Sequence, residues 1–138
     1  MFDTRDRTRF WDWVHPLTLE DFRGKTVLDA GCGSGAHLRL VAPVVTRGVG
    51  VDLHEAAIAR ERLADLRNVA IIEGDVAGLS RSEKFDIVYS VGVVHHTEDP
   101  DRTVKNLARL VKPGGVLAVW VYGWEGNFMN RVLLEWMK

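Results

Sequence analysis

The sequence is poor in several features that would place it in a specialised class of proteins. It has one cysteine, Cys32, in 138 residues, so no disulfide can form within the chain and we expect a reducing, cytoplasmic location. No apolar run approaches the ~18 residues of a membrane-spanning helix, and the amino terminus does not read as a signal peptide. The net charge of −1 provides no basic field for nucleic acid. We therefore expect a globular domain with no membrane partner and no evident nucleic-acid partner.

The sequence also lacks a pattern of metal ligands. His15, His37 and His54 fall in three separate segments without the spacing that metal sites show. Cys32 has no neighbouring group that would activate it as a nucleophile. We predict no bound metal and no thiol chemistry.

The chain does contain a regular alternation of apolar runs and helical stripes. With 46% apolar residues among 138, there is room for one domain over residues 1–138. Five apolar runs are typical of buried strands, at residues 27–30, 48–53, 69–73, 85–91 and 116–122. Helical patterns lie between them, at residues 36–41, at residues 54–66 and from Pro100, which follows the N-cap residue Asp99. This alternation predicts an α/β domain, doubly wound around a mainly parallel sheet.

The amino-terminal segment, residues 1–24, is rich in aromatic side chains. Three apolar residues at helical spacing indicate a short helix packed on the core: Phe10, Val14 and Leu17. The functional interpretation of the same segment is a helical lid over a ligand cleft, with Trp11 or Trp13 facing an acceptor.

The most informative segment is residues 29–35, directly after the first apolar run. It has the form acid-x-Gly-x-Gly-x-Gly, from Asp29 through Gly31 and Gly33 to Gly35. Glycines let the chain turn sharply and bring backbone N–H groups against a ligand. Strand, glycine turn and following helix together indicate a nucleotide-type ligand at the carboxyl edge of the sheet.

The glycines alone leave two classes of ligand open. Gly31, Gly33 and Ala36 satisfy the dinucleotide fingerprint G-x-G-x-x-G/A. Asp52 follows Gly31 by 21 residues, as a ribose-binding acid should, so an NAD-binding oxidoreductase fits these positions. The carboxylate of Asp29 would repel a pyrophosphate, however, and it suits a ligand that carries an ammonium and a sulfonium.

From these residues the chain resembles the class I S-adenosylmethionine-dependent methyltransferases of the small-molecule type, over residues 25–122. The resemblance implies a Rossmann-like core with strand order 3-2-1-4-5 and a ligand at the switch point between the first and fourth strands. It implies S-adenosylmethionine as the cofactor and S-adenosylhomocysteine as its product. It also implies further strands after the fifth, and the chain resembles a truncated core that lacks the last two of them.

The resemblance further implies which residues bind the cofactor. Residues of the glycine loop would hold the methionine end and the ribose, unless the glycines form only a structural turn: Asp29, Gly31, Cys32, Gly33 and Gly35. Asp52 would accept hydrogen bonds from both ribose hydroxyls, unless it is simply the polar end of a strand. Leu53 would pack on the adenine face.

Two later segments complete the implied cofactor site. The side chain of Asp75 would accept a hydrogen bond from the exocyclic amine of adenine, and the backbone N–H of Val76 would donate to the ring. A plain turn is the alternative for this Gly-Asp segment. Ser90 and Val91, at the end of the fourth strand, would pass beside the methionine moiety.

Three residues are candidates for a catalytic base. Residues 96–100, His-Thr-Glu-Asp-Pro, match the His-x-x-Asp-Pro segment of small-molecule methyltransferases. His95 and His96 titrate near neutral pH and could remove a proton from an acceptor, and Tyr122 is the third candidate. The alternatives are that His96 hydrogen-bonds backbone in its own loop and that His95 is solvated.

The resulting hypothesis is an enzyme that transfers a methyl group from S-adenosylmethionine to a small-molecule acceptor, largely by aligning acceptor and methyl carbon and excluding water. The main alternative is a domain that binds S-adenosylmethionine or S-adenosylhomocysteine without methyl transfer. An NAD-binding oxidoreductase explains neither Asp29 nor Asp75.

The tail, residues 123–138, has apolar residues in two adjacent helical rows over residues 128–137, so we predict a carboxyl-terminal helix there. The fifth strand would then be an edge of the sheet with unpaired backbone groups. We therefore expect a homodimer through the edge at residues 116–122 or through the helix at residues 128–137.

Overall fold

The computed structural model describes the backbone of residues 4–121 and 130–135 and the side chains of residues 9–121. The helices and strands follow in this order: α1 (Thr4–Val14), β1 (Thr26–Ala30), α2 (Ala36–Val41), β2 (Arg47–Asp52), α3 (Ala56–Arg62), β3 (Val69–Glu73), β4 (Phe85–Val91), α4 (Pro100–Ala108), β5 (Val111–Val121) and β6 (Asn130–Glu135). Short 3-10 turns lie at Leu19–Phe22 and Val94–His96. None of the described helices has the length and apolarity that a membrane crossing requires.

The sheet confirms the predicted topology and extends it. Its order is β3-β2-β1-β4-β5-β6, in which β1 to β5 pair in parallel and β6 is antiparallel to β5. The predicted doubly wound order 3-2-1-4-5 is therefore correct. The chain reverses its direction of winding between β1 and β4, so the carboxyl ends of these two strands flank the crevice in which such sheets bind ligands.

Both faces of the sheet are covered, which explains the apolar runs. On one face the core includes Phe10 and Val14 of α1 and Leu38 of α2. On the other face it includes Leu28 of β1 and Leu107 of α4. A parallel strand covered on both sides must be apolar at almost every position, so the central strands β1 and β4 show no alternation in sequence.

The amino-terminal helix forms as predicted and packs on the core. Phe10 and Val14 are buried, and the Phe10 ring meets Tyr89 of β4 at a centroid distance of 5.4 Å. Leu17 lies beyond the end of α1 but still packs against the same cluster. The packing interpretation is thus confirmed, and the role of residues 1–24 as a lid stays a prediction.

α3 covers only Ala56–Arg62 of the predicted residues 54–66, and β5 begins earlier than predicted; local contacts explain where each of them begins. The helix expected at residues 54–66 begins only at Ala56, because the Asp52 carboxylate holds the N–H groups of His54 and Glu55. The fifth strand begins at Val111 rather than 116, because Val111 already pairs with Phe85 before the register shifts to Ile87 and Val116.

The predicted carboxyl-terminal helix is wrong at Asn130–Glu135, which form a strand. The helix prediction used only the spacing of apolar residues and did not consider the N–H and C=O groups at the edge of β5. Pairing with those groups outweighs a weak helical periodicity. Val119 of β5 pairs with Val132, so the predicted unpaired edge of β5 is also wrong where β6 covers it, and the homodimer stays a prediction. The remainder of the predicted helix lies outside the described residues.

At the amino end of the sheet, Asp86 joins three strands. Its carboxylate accepts hydrogen bonds from the backbone N–H and the hydroxyl of Thr26, both at 2.8 Å, and from Lys112 at 3.2 Å. Burial opposes ionisation, but the bonds from Thr26 and Lys112 outweigh it and lower the pKa of Asp86 below 3.8. This cluster lies at the end of β1 that is remote from the glycine loop.

We expect Asp86→Ala to lower the free energy of unfolding by about 1–3 kcal/mol, because a backbone N–H and a lysine lose a charged acceptor. Urea unfolding measures the difference. Since the folded pKa is lowered, the stabilisation is complete above the ordinary value of 3.8 and disappears as the pH falls through the folded pKa. A difference between parent and variant that does not shrink in acid would contradict this explanation.

Candidate functional site

The glycine loop connects β1 to α2 and is closed by backbone hydrogen bonds. The N–H groups of Gly31 and Cys32 both donate to the carbonyl of Val51, at 2.8 and 3.0 Å, which fastens the loop to the end of β2. The N–H of Gly35 donates to Cys32 at 2.9 Å. The loop therefore sits at the carboxyl ends of two central strands, where the sequence predicts a ligand.

The three glycines of the loop have different physical roles. All have positive φ, at +89° for Gly31, +49° for Gly33 and +85° for Gly35. A Cβ atom on Gly31 would lie 2.3 Å from a methyl group of Val93, and one on Gly35 would lie 2.5 Å from Leu63. These two glycines are required by packing, so the interpretation as a structural turn accounts for them.

Gly33 differs because its Cβ position faces open space. The nearest heavy atom to a Cβ at Gly33 is an oxygen of the Glu55 carboxylate, at 3.8 Å. Packing within the protein thus gives no reason for glycine at this position. A bare backbone that borders free space at the carboxyl edge is what close approach of a ligand requires.

Asp29 is a fully buried acid at the start of this loop. Burial raises its pKa to about 8, against the lowering effect of the neighbouring Tyr89 hydroxyl, and the charge of Asp52 adds to the rise. Within the part of the chain that the structure describes, neither carboxylate oxygen has a hydrogen-bond partner of good geometry. A buried carboxyl group of this kind is costly to ionise unless a cation approaches it.

Asp52 ends β2 and is held in the opposite protonation state. Its carboxylate accepts hydrogen bonds from the backbone N–H groups of Gly33 at 2.9 Å, His54 at 2.9 Å and Glu55 at 2.8 Å. Partial burial works against ionisation, but these bonds and the charge of His54 outweigh it and lower the pKa of Asp52. The site therefore places an ionised acid and a neutral acid on either side of the same loop.

The bond from Gly33 to Asp52 is a contact that sequence reasoning missed. The strand-terminal interpretation of Asp52 is partly right, because the side chain organises its own turn. The half-buried carboxylate still borders the open space at Gly33. A carboxylate has about four acceptor positions, so three backbone bonds leave capacity for a ligand.

The predicted adenine side contains Leu53, Asp75 and Val76. Leu53 is 50% exposed, which leaves an apolar surface for a planar group. Asp75 is exposed, and one carboxylate oxygen accepts the N–H of Ala77 at 2.9 Å, as in a turn. The side chain of Val76 is buried in the core, so only its backbone is placed to serve a ligand.

The other predicted contacts are more deeply buried than the sequence indicated. Ser90 is fully buried, and its hydroxyl donates to the carbonyl of Ala30 at 2.7 Å, which ties β4 to β1 at the switch point. Val91 is half-buried beside it. Cys32 is buried, and burial with the charges of Asp29 and Asp52 raises the pKa of its thiol.

The two histidines lie together in the 3-10 turn after β4. Their ring centroids are 4.0 Å apart. Burial and the neighbouring His96 lower the pKa of the half-buried His95, so it is neutral at pH 7. His96 is exposed, and its backbone N–H donates to Val93 at 2.9 Å. Tyr122 lies outside the described residues.

An aromatic cluster near the same edge contains Trp120 and His37, which the sequence did not assign to the site. Trp13 of α1 packs on Trp120 of β5 at 4.9 Å and on His37 of α2 at 5.8 Å. His37 also stacks on Phe10 at 4.8 Å. The sequence did offer a signal for Trp120, since it lies near the carboxyl end of the fifth predicted strand.

A doubly wound sheet with a glycine loop and two acids at its carboxyl edge defines an α/β domain for a nucleotide-type ligand. The chain matches the family described as "Methyltransferase domain" over residues 28–119, and it belongs to that family. The match confirms the resemblance to the class I S-adenosylmethionine-dependent methyltransferases.

The proteins to which the chain is similar are named for different activities. The chain is 38% identical over 120 residues to ubiquinone biosynthesis O-methyltransferase of Neisseria meningitidis serogroup C, covering 75% of this chain and 49% of that protein. It is 32% identical over 131 residues to tRNA U34 carboxymethyltransferase of Klebsiella pneumoniae, covering 90% and 39%. The chain therefore spans less than half the length of each of these two relatives.

One similar solved structure is of a protein named for a different reaction. The [4+2]-cyclase SpnF superposes with a TM-score of 0.72 at 28% identity, covering 82% of this chain and 44% of that one. The shared architecture thus agrees with the family assignment, while the reaction in that protein's name is a cyclisation.

Proposed function

We propose that this domain binds S-adenosylmethionine and transfers its methyl group to a small-molecule acceptor. The observation that carries the proposal is the buried Asp29, whose carboxylate oxygens lack a hydrogen-bond partner of good geometry, on the strand that leads into the glycine loop and the open space at Gly33. An ammonium group fits that environment, because a cation beside the buried Asp29 would favour its ionised form, whereas a pyrophosphate would oppose it. The family match supports the same ligand.

The residues present fit the cofactor at both of its ends. Asp29 would hold the α-ammonium, and the Gly33 backbone would border the methionine chain. Asp52 would accept the ribose hydroxyls, while Leu53 and Asp75 would contact the adenine. Because Asp29 is fully buried, a cation can reach it only if the side chains that cover it shift. When bound, the cofactor supplies a methyl group activated by its sulfonium.

The chain's own residues would then align the acceptor and, where needed, accept its proton. Trp13 and Trp120 form an apolar wall near the carboxyl edge, which would exclude water from the reacting atoms. His95 is neutral at pH 7 because its pKa is lowered, so it can accept a proton from an oxygen or carbon acceptor. His96 and Tyr122 remain further candidates. A nitrogen acceptor needs only orientation.

The acceptor class needs its own test, because one relative is named for ubiquinone biosynthesis and another for a tRNA. The net charge of −1 favours a small molecule over a polyanion, whereas one relative is named for a tRNA. S-adenosylhomocysteine release should be measured with a panel of phenols, amines and carbon acids, and separately with bulk tRNA. Release with tRNA alone would contradict the small-molecule proposal.

A second candidate function is binding of S-adenosylmethionine without methyl transfer. The similarity to a protein named as a cyclase favours keeping this second function. The same panel separates the two functions, since a binding protein would show saturable affinity for S-adenosylhomocysteine and no acceptor-dependent release. A cytoplasmic location remains part of the proposal.

We expect S-adenosylhomocysteine binding to release close to one proton at about pH 6–7. The pKa of Asp29 is about 8 in the free protein, so its carboxyl group starts protonated and ionises beside the ligand's ammonium. The α-ammonium, whose pKa is about 8, stays charged over this range. Affinity should therefore rise with pH. Calorimetry in buffers of different ionisation enthalpy counts the protons.

The matched variant for this measurement is Asp29→Asn, which has the same shape but no ionisable group. It should bind more weakly and release no proton at this position. Equal proton release by parent and variant would show that Asp29 does not ionise on binding.

A further inference from the structure

We infer that Asn106 of α4 is a positioning residue for adenine: it fixes the loop that presents Asp75. The inference rests on the proposed function, since it takes Asp75 as the acceptor for the exocyclic amine of adenine. Asn106 lies 31 residues after Asp75 in the chain and is absent from the predicted site.

Two hydrogen bonds connect Asn106 to Asp75 through Ala77. The side-chain amide of Asn106 donates to the carbonyl of Ala77 at 3.0 Å. The N–H of Ala77 donates to a carboxylate oxygen of Asp75 at 2.9 Å. Ala77 is thus held through both its carbonyl and its N–H, and the second bond sets the direction of the Asp75 carboxylate.

The amide of Asn106 is itself oriented. Its oxygen accepts a hydrogen bond from the Arg109 guanidinium at 3.3 Å, which leaves the NH2 group to face Ala77. Buried Val76 packs in the same cluster as Leu107 of α4. The loop and α4 therefore contribute to the same apolar cluster, and Asn106 supplies a directional hydrogen bond between them.

This arrangement predicts a role in base specificity rather than in general affinity. Adenine carries an amine donor at the position where hypoxanthine carries a carbonyl acceptor. A carboxylate fixed by Ala77 accepts from the amine and repels the carbonyl, so it discriminates between the two bases. If Asn106 is removed, the loop and its carboxylate can move, and the discrimination should fall.

The test compares S-adenosylhomocysteine with S-inosylhomocysteine, its hypoxanthine analogue, by titration calorimetry. The parent should prefer the adenine ligand. Asn106→Ala, which keeps a good helix former in α4, should lose about 5- to 10-fold in affinity for S-adenosylhomocysteine and little for the analogue. The preference between the ligands should contract accordingly.

Asn68→Ala is the matched control. The amide of Asn68 likewise donates to backbone carbonyls, at 2.9 Å to Ala42 and 3.0 Å to Val45, in a part of the chain away from the Asp75 loop. This variant should lower the stability of the fold and leave the ratio of the two affinities unchanged. If Asn106→Ala is too unstable to assay, Asn106→Asp removes the same donor with the same shape.

The outcomes separate this inference from the proposed function. Suppose that the parent binds S-adenosylhomocysteine, and that the Asn106 variants bind both ligands more weakly by the same factor or bind both as the parent does. Asn106 then has only a structural role, and the inference is overturned. If the parent binds neither ligand, the proposed function fails, and the positioning role fails with it. If the ratio of the two affinities falls in the Asn106 variants and not in Asn68→Ala, the result supports both the positioning role and the proposed function.

Discussion

Asp52→Ala is expected to weaken S-adenosylhomocysteine binding by about 2–3 kcal/mol, roughly 30- to 160-fold in the dissociation constant. The variant removes an ionised acceptor, and it also frees the N–H groups of Gly33, His54 and Glu55. The ligand would lose its ribose contacts, and the two loops that border it would lose their shared anchor. Titration calorimetry measures the change.

Asp86→Ala is the control for this prediction. Asp86 is also half-buried and also accepts a backbone N–H at 2.8 Å, from Thr26, but it lies at the opposite end of the sheet. The Asp86→Ala variant should have a lower free energy of unfolding, and the folded protein should bind S-adenosylhomocysteine with unchanged affinity. The ribose contact itself is isolated with a 2′-deoxyribose analogue, which should bind the parent more weakly but Asp52→Ala about equally. An Asp52→Ala protein that binds like the parent would refute the assignment.

Gly33→Val is expected to abolish cofactor binding while the remainder of the core stays folded. The Cβ of residue 33 would enter free space, since its nearest neighbour is 3.8 Å away, and a branched side chain there would occupy the ligand's position. Valine at a φ of +49° is also strained. Gly33→Asn avoids most of that strain, because asparagine adopts the left-handed region readily, and should weaken binding by at least about 10-fold.

Gly31→Ala provides the contrasting case in the same loop. Its Cβ would collide with Val93 at 2.3 Å, so the expected effect is a loss of folding stability of about 1–3 kcal/mol or more. Thermal unfolding and calorimetry on all three variants give two patterns, with binding lost at residue 33 and stability lost at residue 31. Unchanged affinity in a folded Gly33→Asn protein would contradict the assignment of the loop.

The parallel core was predictable because its signals are local and repeated. The apolar runs at β1 to β5 and the capped start of α4 at Asp99 each follow from a few adjacent residues. The tail was not predictable in this way. Its helical rows are a local pattern, whereas the strand Asn130–Glu135 depends on the free edge of β5, which belongs to a distant part of the chain.

The sequence predicted where the residues of the candidate site lie better than it predicted which neighbours their side chains contact. The sequence placed Asp29, Asp52 and the glycines at the carboxyl edge, where the structure has them. It could not show that Ser90 turns its hydroxyl to Ala30, or that Gly31 and Gly35 serve packing. Those facts depend on which neighbours the fold brings within a few ångströms.

The carboxylate of Asp52 also makes occupation of the site observable through three backbone amide protons. It binds amide protons on both walls of the cleft: Gly33 belongs to the loop before α2, and His54 and Glu55 precede α3. A ligand that draws on either carboxylate oxygen must alter the exchange of these protons with solvent. Their three exchange rates should consequently change together on titration, which would distinguish occupation of the ribose position from binding elsewhere on the domain.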